Sequence, residues 1–242
     1  MKKRYPYSIQ AQDVDFQSRI TMAALTNILL STAGINADEN DLGLRKLNEN
    51  NSSWVLLRLA VEMDYFPKQY QDIYVETWVE ELARVTTVRN FLVLDSENKI
   101  IGKASSIWAM INLETRRAMD LTLLDGIRNQ ATSEKVDMEK PIKLNQVEEN
   151  LFDSFKVRYN DIDINIHTNS LSYIKWISNC FSLEDYRQKL VSRYEINYIS
   201  EIVFGDTVSI YMEEFEKDDY RFEIKANGKK SCRARVLFRA KN

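Results

Sequence analysis

One order of sequence signals occurs twice in this chain, and the repetition leaves few folds open to it. The first copy starts with weak alternation over residues 4–10, passes Asp13-Val14-Asp15, and enters an apolar helical run from Arg19 to Ala33, with Ser18 as N-cap and Gly34 as stop. After a polar stretch, Asn36 to Ser53, come four strand signals: Trp54 to Met63, Ile73 to Val79, Arg84 to Leu94 and Ile100 to Asn112. The second copy repeats the order. A strand from Phe155 to Tyr159 leads through Asp161-Ile162-Asp163 to a helix from Asn169 to Cys180. Strands follow over Leu190–Tyr198, Thr207–Phe215, Tyr220–Ala226 and Ser231–Ala240. Short links imply antiparallel neighbours, and a helix apolar on most of its surface must be wrapped. Each copy is therefore expected to curl one antiparallel sheet around one helix, an α+β duplication. The expected bounds are 1–125, a polar linker 126–150 containing Pro141, and 151–242.

A net charge of −3 gives no basic excess for general nucleic-acid binding. No segment reaches the length of a membrane span, and no apolar run follows the basic start Met-Lys-Lys-Arg. The two cysteines, Cys180 and Cys232, stand in no metal-ligand spacing and read as buried, reduced thiols. These features lead to an expectation of a cytoplasmic protein with no metal and no cofactor.

A duplicated chain can be compared with itself. Asp161, Asp163, Asn165 and His167 alternate with isoleucines and end at a helix start, where N–H groups and the helix dipole favour developing negative charge. Asx residues before a helix are also ordinary caps. Matching the Asp-x-Asp pairs sets Gln17 against Asn165 and Arg19 against His167, the only histidine. Matching Gln71-Asp72-Ile73-Tyr74 to Gly205-Asp206-Thr207-Val208 sets Pro67 against Glu201. Since the first copy reaches the same architecture without them, Asn165, His167 and Glu201 are expected to serve chemistry, and the first copy to hold a ligand.

Several motifs then resemble the acyl-acyl carrier protein thioesterases of plant plastids and bacteria. They are Asp163-x-Asn165-x-His167-x-Asn169 with Tyr173, Trp176 and Glu201, and in the first copy Tyr65-Phe66-Pro67, Val75-Glu76-Thr77-Trp78, Ala104-Ser105-Ser106-Ile107-Trp108, and Asn112 with Thr115-Arg116-Arg117. The resemblance implies a tandem hot-dog fold, hydrolysis of a fatty acyl thioester, and acyl carrier protein as partner, with monomer and homodimer both open. Many plant members carry a cysteine directly after this glutamate; here Ile202 stands there and cannot form an acyl-enzyme.

Water attack is then expected, with Glu201 as leading general base, some burial beside Ile199, Ile202 and Val203 making it a better one. His167 and Asn165 would orient water or thioester, Asp163 would hold them, and the backbone N–H groups of Thr168 and Asn169 would meet the oxyanion. Which of Glu201 and His167 is the base stays open. The first helix, Trp108 and Met110 are candidates for an acyl tunnel, and Arg84, Arg89, Arg116 and Arg117 for a basic surface facing the acidic carrier. A hydroxyacyl-thioester dehydratase and a non-catalytic acyl-binding module are the alternatives.

Overall fold

A computed structural model describes residues 2–123, 130–147 and 150–241, which divide into two compact units at Pro141/Ile142. The first unit contains β1 (Lys3–Ser8), α1 (Met22–Asp38), α2 (Leu44–Glu49), β2 (Ser52–Met63), β3 (Asp72–Leu82), β4 (Thr87–Asp95) and β5 (Ile100–Asn112). Its strands pair antiparallel in the order β1-β3-β4-β5-β2. The apolar helix α1 packs on β1, β3 and α2, and Leu25 and Leu29 are fully enclosed.

The second unit contains β6 (Leu151–Lys156), α3 (Ser170–Ser178), α4 (Leu183–Gln188), β7 (Lys189–Tyr198), β8 (Thr207–Glu216), β9 (Asp219–Ala226) and β10 (Lys229–Ala240). Its order, β7-β10-β9-β8-β6, is that of the first sheet with each strand replaced by its counterpart. Each is an antiparallel sheet with a helix packed on it, as the duplication implies, and has the hot-dog build that the resemblance implies. Tyr194 and Ile196 of β7 are buried among apolar side chains, while the alternate residues Arg193 and Glu195 form a 2.7 Å ion pair. No described helix is long and apolar enough to cross a membrane.

Three local expectations are corrected. Helix α1 begins three residues beyond Arg19, capped by the Thr21 hydroxyl, which accepts from Ala24 N–H at 3.1 Å. Ser18 sits instead in a turn at φ +58°. Gly34 does not stop α1, which runs four residues further to Asp38: one glycine costs a helix about 1 kcal/mol, less than the packing of the last turn returns. Helices α2 and α4 are too short to show periodicity, although Ser182 and Asp185 form a legible capping box at α4.

The expected linker 126–150 falls partly on 126–129 and 148–149, outside the described residues. Its remaining residues lie along the units. Thr132 and Ser133 N–H donate to Val79 and Glu80 C=O at 2.9 and 3.0 Å, and Trp78 Nε1 donates to Glu134 C=O at 2.6 Å. In the second unit Leu144 N–H donates to Asn197 Oδ1 at 2.9 Å and Arg233 Nη1 to Leu144 C=O at 2.9 Å. Polar sequence without periodicity is ordered here because the sheets offer it hydrogen-bond partners.

Candidate active site

The approach to each helix is the same turn, hydrogen bond for hydrogen bond. In the first unit Asp15 N–H donates to Arg19 C=O (2.7 Å), while Asp15 Oδ1 accepts from Gln17 N–H (2.8 Å) and Arg19 N–H (3.0 Å). In the second, Asp163 N–H donates to His167 C=O (2.8 Å), and Asp163 Oδ1 accepts from Asn165 N–H (2.8 Å) and His167 N–H (3.3 Å). The role expected of Asp163 thus takes a definite form: its carboxylate holds the backbone under Asn165 and His167. Asp13 and Asp161 also correspond, accepting at their carbonyls from Thr21 and Asn169 N–H at 2.9 and 2.7 Å.

The equivalence extends to the segment carrying Glu201, where it moves the sequence register by one residue. Ile20 N–H donates to Pro67 C=O at 2.8 Å as Thr168 N–H donates to Ile202 C=O at 2.7 Å, and Lys68 N–H bonds Gln71 Oε1 as Val203 N–H bonds Asp206 Oδ2. Pro67 therefore corresponds to Ile202, and Phe66, not Pro67, corresponds to Glu201. The first unit still has no carboxylate there. Two motifs alike in spacing but joined by different loops had hidden the shift.

The Thr168–Ile202 bond and the bridge between His167 and Val203 lay the two segments side by side. His167 Nε2 lies 3.4 Å from Glu201 Oε2. Ile202, fully buried, anchors the loop, and Asp206 braces it from the far side. Asp206 was not among the residues singled out in the sequence; its counterpart Gln71, bonding the same way, is the signal that finds it. Asn165 is exposed, and its side-chain amide has no hydrogen-bond partner among the described residues.

Two expectations fail on geometry. The N–H groups of Thr168 and Asn169 are both engaged, with Ile202 C=O and Asp161 C=O, each at 2.7 Å, so neither is available to an oxyanion. Glu201 is not enclosed: its side chain is 47% exposed, and of its three apolar neighbours only Ile202 is buried. The site is instead an open dyad with an apolar surround: Ile164 is 96% and Ile166 71% exposed, and Phe204 is exposed as well. Ile166 has φ +62°, a left-handed conformation costly for a β-branched residue, directly before His167.

Neither cysteine offers a nucleophile. Burial pushes the Cys180 thiol up to about 12, with Sγ donating to Trp176 C=O at 3.4 Å, and raises that of Cys232, which is fully buried on β10.

The first unit holds a cavity of about 260 Å³ lined by Leu30, Ala33, Gly34 and Ala37 of α1, by Leu42, Leu44, Trp54, Val79, Leu82, Thr87 and Trp108, and by Arg89 and Gln130. Trp108 lines it; Met110 does not, packing instead with Leu47 and Leu121 in a core cluster against which the lining residues Leu42, Trp54 and Leu82 also pack. Arg89, expected on a basic surface, lines this interior space, while Arg84, Arg116 and Arg117 are exposed. Strand alternation placed Arg89 on one face of β4 without revealing that the face is covered.

Known proteins of the same build share both halves. The model for the acyl-ACP thioesterase N-terminal domain matches residues 1–129, and that for the C-terminal domain matches residues 144–240. An acyl-ACP thioesterase from Bacteroides thetaiotaomicron superposes with TM-score 0.94 at 39% identity, covering 98% of each chain. A 12:0-ACP thioesterase from Umbellularia californica, at 21% identity and TM-score 0.83 over 99% of this chain and 98% of that one, shares the fold. A chloroplastic acyl-[acyl-carrier-protein] hydrolase from Cuphea viscosissima is 28% identical over 191 residues, 72% of this chain and 45% of that protein. A chloroplastic oleoyl-acyl carrier protein thioesterase from Arabidopsis thaliana is 25% identical over 217 residues, 80% of this chain and 56% of that protein. The chain thus spans about half the length of the curated relatives it matches. With both family domains matched in order across two hot-dog units, only the second of which carries the His167–Glu201 pair, the chain belongs to the acyl-ACP thioesterase family.

Proposed function

We propose that this protein hydrolyses fatty acyl thioesters of acyl carrier protein, releasing free fatty acid and the carrier's thiol. The observation that carries the reading is the 3.4 Å approach of His167 to Glu201 in the second unit, where the first unit has Arg19 and Phe66 at the corresponding positions. Glu201 is the favoured base. Its carboxylate takes a proton from water as the water oxygen attacks the thioester carbonyl carbon; the carbonyl π electrons move to oxygen. Collapse of the tetrahedral intermediate breaks C–S, and the thiolate leaves without strong acid assistance, a simple thiol titrating near about 8.5. His167 orients the carboxylate and the water, and the Asn165 amide, exposed and without a hydrogen-bond partner among the described residues, contacts the thioester. With Thr168 and Asn169 N–H engaged, the oxyanion falls to Ser170 N–H, at the first position of α3. No step uses a cysteine.

The first unit is proposed to receive the acyl chain, since its cavity is mostly apolar and adjoins α1. Two reduced thiols support a cytoplasmic location. Light scattering distinguishes monomer from homodimer.

The test is thiol release from acyl-carrier thioesters by wild type, Glu201→Gln, His167→Ala and the Cys180→Ala/Cys232→Ala double variant. Loss of at least about a hundredfold with either of the first two, and activity retained in the third, is expected. Loss in the double cysteine variant, if folded, refutes the water mechanism. Enoyl thioester as product, or chain binding without turnover, refutes hydrolysis.

A further inference from the structure

Arg89 is a cation on the wall of a mostly apolar cavity, and among the described residues no carboxylate lies within ion-pair distance of it. Arg89 is half-buried, and covering its unpaired donors with an apolar group would cost several kcal/mol unless something compensates. Burial pulls its pKa down to about 10, which leaves the guanidinium charged at neutral pH.

Its neighbours fix the orientation of the guanidinium from one side. Nη1 donates to Asn36 Oδ1 at 2.7 Å and to Thr77 Oγ1 at 3.2 Å. The Thr77 hydroxyl proton goes to Asn90 C=O at 3.0 Å, so this hydroxyl presents a lone pair to Arg89. Asn36 Nδ2 donates to Tyr5 Oη at 3.2 Å, Tyr5 Oη–H donates to Glu39, and Glu39 pairs with Lys3 at 2.7 Å. From Arg89 to Glu39 each donor points away from the guanidinium, and Lys3 closes the chain by donating to Glu39 from the other end.

What remains of the guanidinium is the Nε–H and the two Nη2–H groups, which have no hydrogen-bond partner among the described residues. A guanidinium donates and cannot accept. The other ring N–H donors on the lining are consumed: Trp54 Nε1 by Leu42 C=O at 3.0 Å and Trp108 Nε1 by Ser106 Oγ at 2.8 Å. The Thr87 hydroxyl donates to Glu81 C=O at 2.9 Å. Of the polar residues on the lining, Arg89 and Gln130 are therefore the two that keep side-chain donors without a hydrogen-bond partner among the described residues.

We propose that Arg89 selects acyl chains carrying an oxygen acceptor along the hydrocarbon, so that the cavity discriminates oxygenated acyl groups from plain alkyl ones. The cavity must supply donors where an oxygen arrives, and an alkyl chain lodged there leaves the Arg89 N–H groups unsatisfied. A site built to hydrogen-bond an oxygen strongly disfavours the analogue lacking it, because its own buried polar groups are then unpaired. The acceptor chemistry is shared by a hydroxyl and by a terminal carboxylate. The substrate class deepens the thioesterase reading and rests on it for catalysis, whereas the recognition chemistry rests on the cavity alone.

The experiment compares thiol release from carrier thioesters of matched chain length bearing an alkyl, a mid-chain hydroxyl, an ω-hydroxyl or an ω-carboxylate end, using wild type, Arg89→Met and Arg89→Lys. Wild type is expected to favour at least one oxygenated chain over the alkyl chain by tenfold or more in kcat/KM. Arg89→Met should abolish that ratio and Arg89→Lys retain part of it. The hydroxyl and carboxylate arms identify which oxygen is read. A wild type that cleaves alkyl chains as well as every oxygenated one overturns the proposal, as does a ratio that survives in a folded Arg89→Met or, should that variant not fold, is unaltered in Arg89→Lys. If wild type releases no thiol from any substrate, the thioesterase reading fails separately. Calorimetry with ω-hydroxydodecanoic and dodecanoic acids then decides: tighter binding of the hydroxy acid, lost on removing Arg89, supports the proposal, and equal binding overturns it.

Discussion

Gly34 offers a direct test of how the first unit's helix bounds the cavity. It lies within α1 and on the cavity lining, and a Cβ built on it meets no atom within 4 Å. Gly34→Ala should therefore add helix propensity without a clash, about 1 kcal/mol, raising the melting temperature by about 2 to 4 °C for a chain of this size. Gly34→Leu carries the side chain into a space of about 260 Å³ and should leave the fold intact while shortening the chain that fits. Each methylene excluded from an apolar pocket is worth about 1 to 3 kcal/mol, or about 10- to 200-fold in kcat/KM. The assay is thermal unfolding of both variants beside thiol release from a ladder of saturated acyl-carrier thioesters. The reasoning is refuted if Gly34→Ala destabilises the protein. It is refuted equally if Gly34→Leu leaves the chain-length profile where wild type has it.

The paired turns supply an internal control, since Asp15→Ala and Asp163→Ala each remove a carboxylate that accepts two backbone N–H bonds. Each should cost about 1 to 2 kcal/mol in urea unfolding, but only Asp163→Ala should lower kcat, by tenfold or more; equal kinetic effects would contradict the asymmetry of the two units. Alkaline pH should destabilise the protein. Burial raises the Tyr5 hydroxyl and the Cys180 thiol to about 12 and raises Cys232, Tyr194 and Tyr198, so the folded state favours their neutral forms. That contribution is complete below the ordinary thiol and phenol range and is lost as pH climbs from about 9 through about 12. Urea midpoints that stay level across this range would show the groups to be less enclosed than the structure has them.

The duplication was legible in the sequence because it rests on local chemistry. Hydrophobic period separates helix from strand, short links impose antiparallel pairing, and an aspartate in each turn, Asp15 and Asp163, caps the same backbone N–H groups. The candidacy of His167 and Glu201 could also be read there, since two copies of one fold expose the residues that only one copy has. Their 3.4 Å approach could not: it depends on the Thr168–Ile202 hydrogen bond, which joins segments 34 residues apart and whose register the loops set. The same limit moved Glu201's counterpart from Pro67 to Phe66. It also hid which N–H groups at the start of α3 are already engaged, because a sequence names donors without showing their acceptors. Arg89 is the fullest case. Period-2 alternation places it on one face of β4, but only the packing of α1 and Gln130 beside that face decides whether its charge meets water or a cavity.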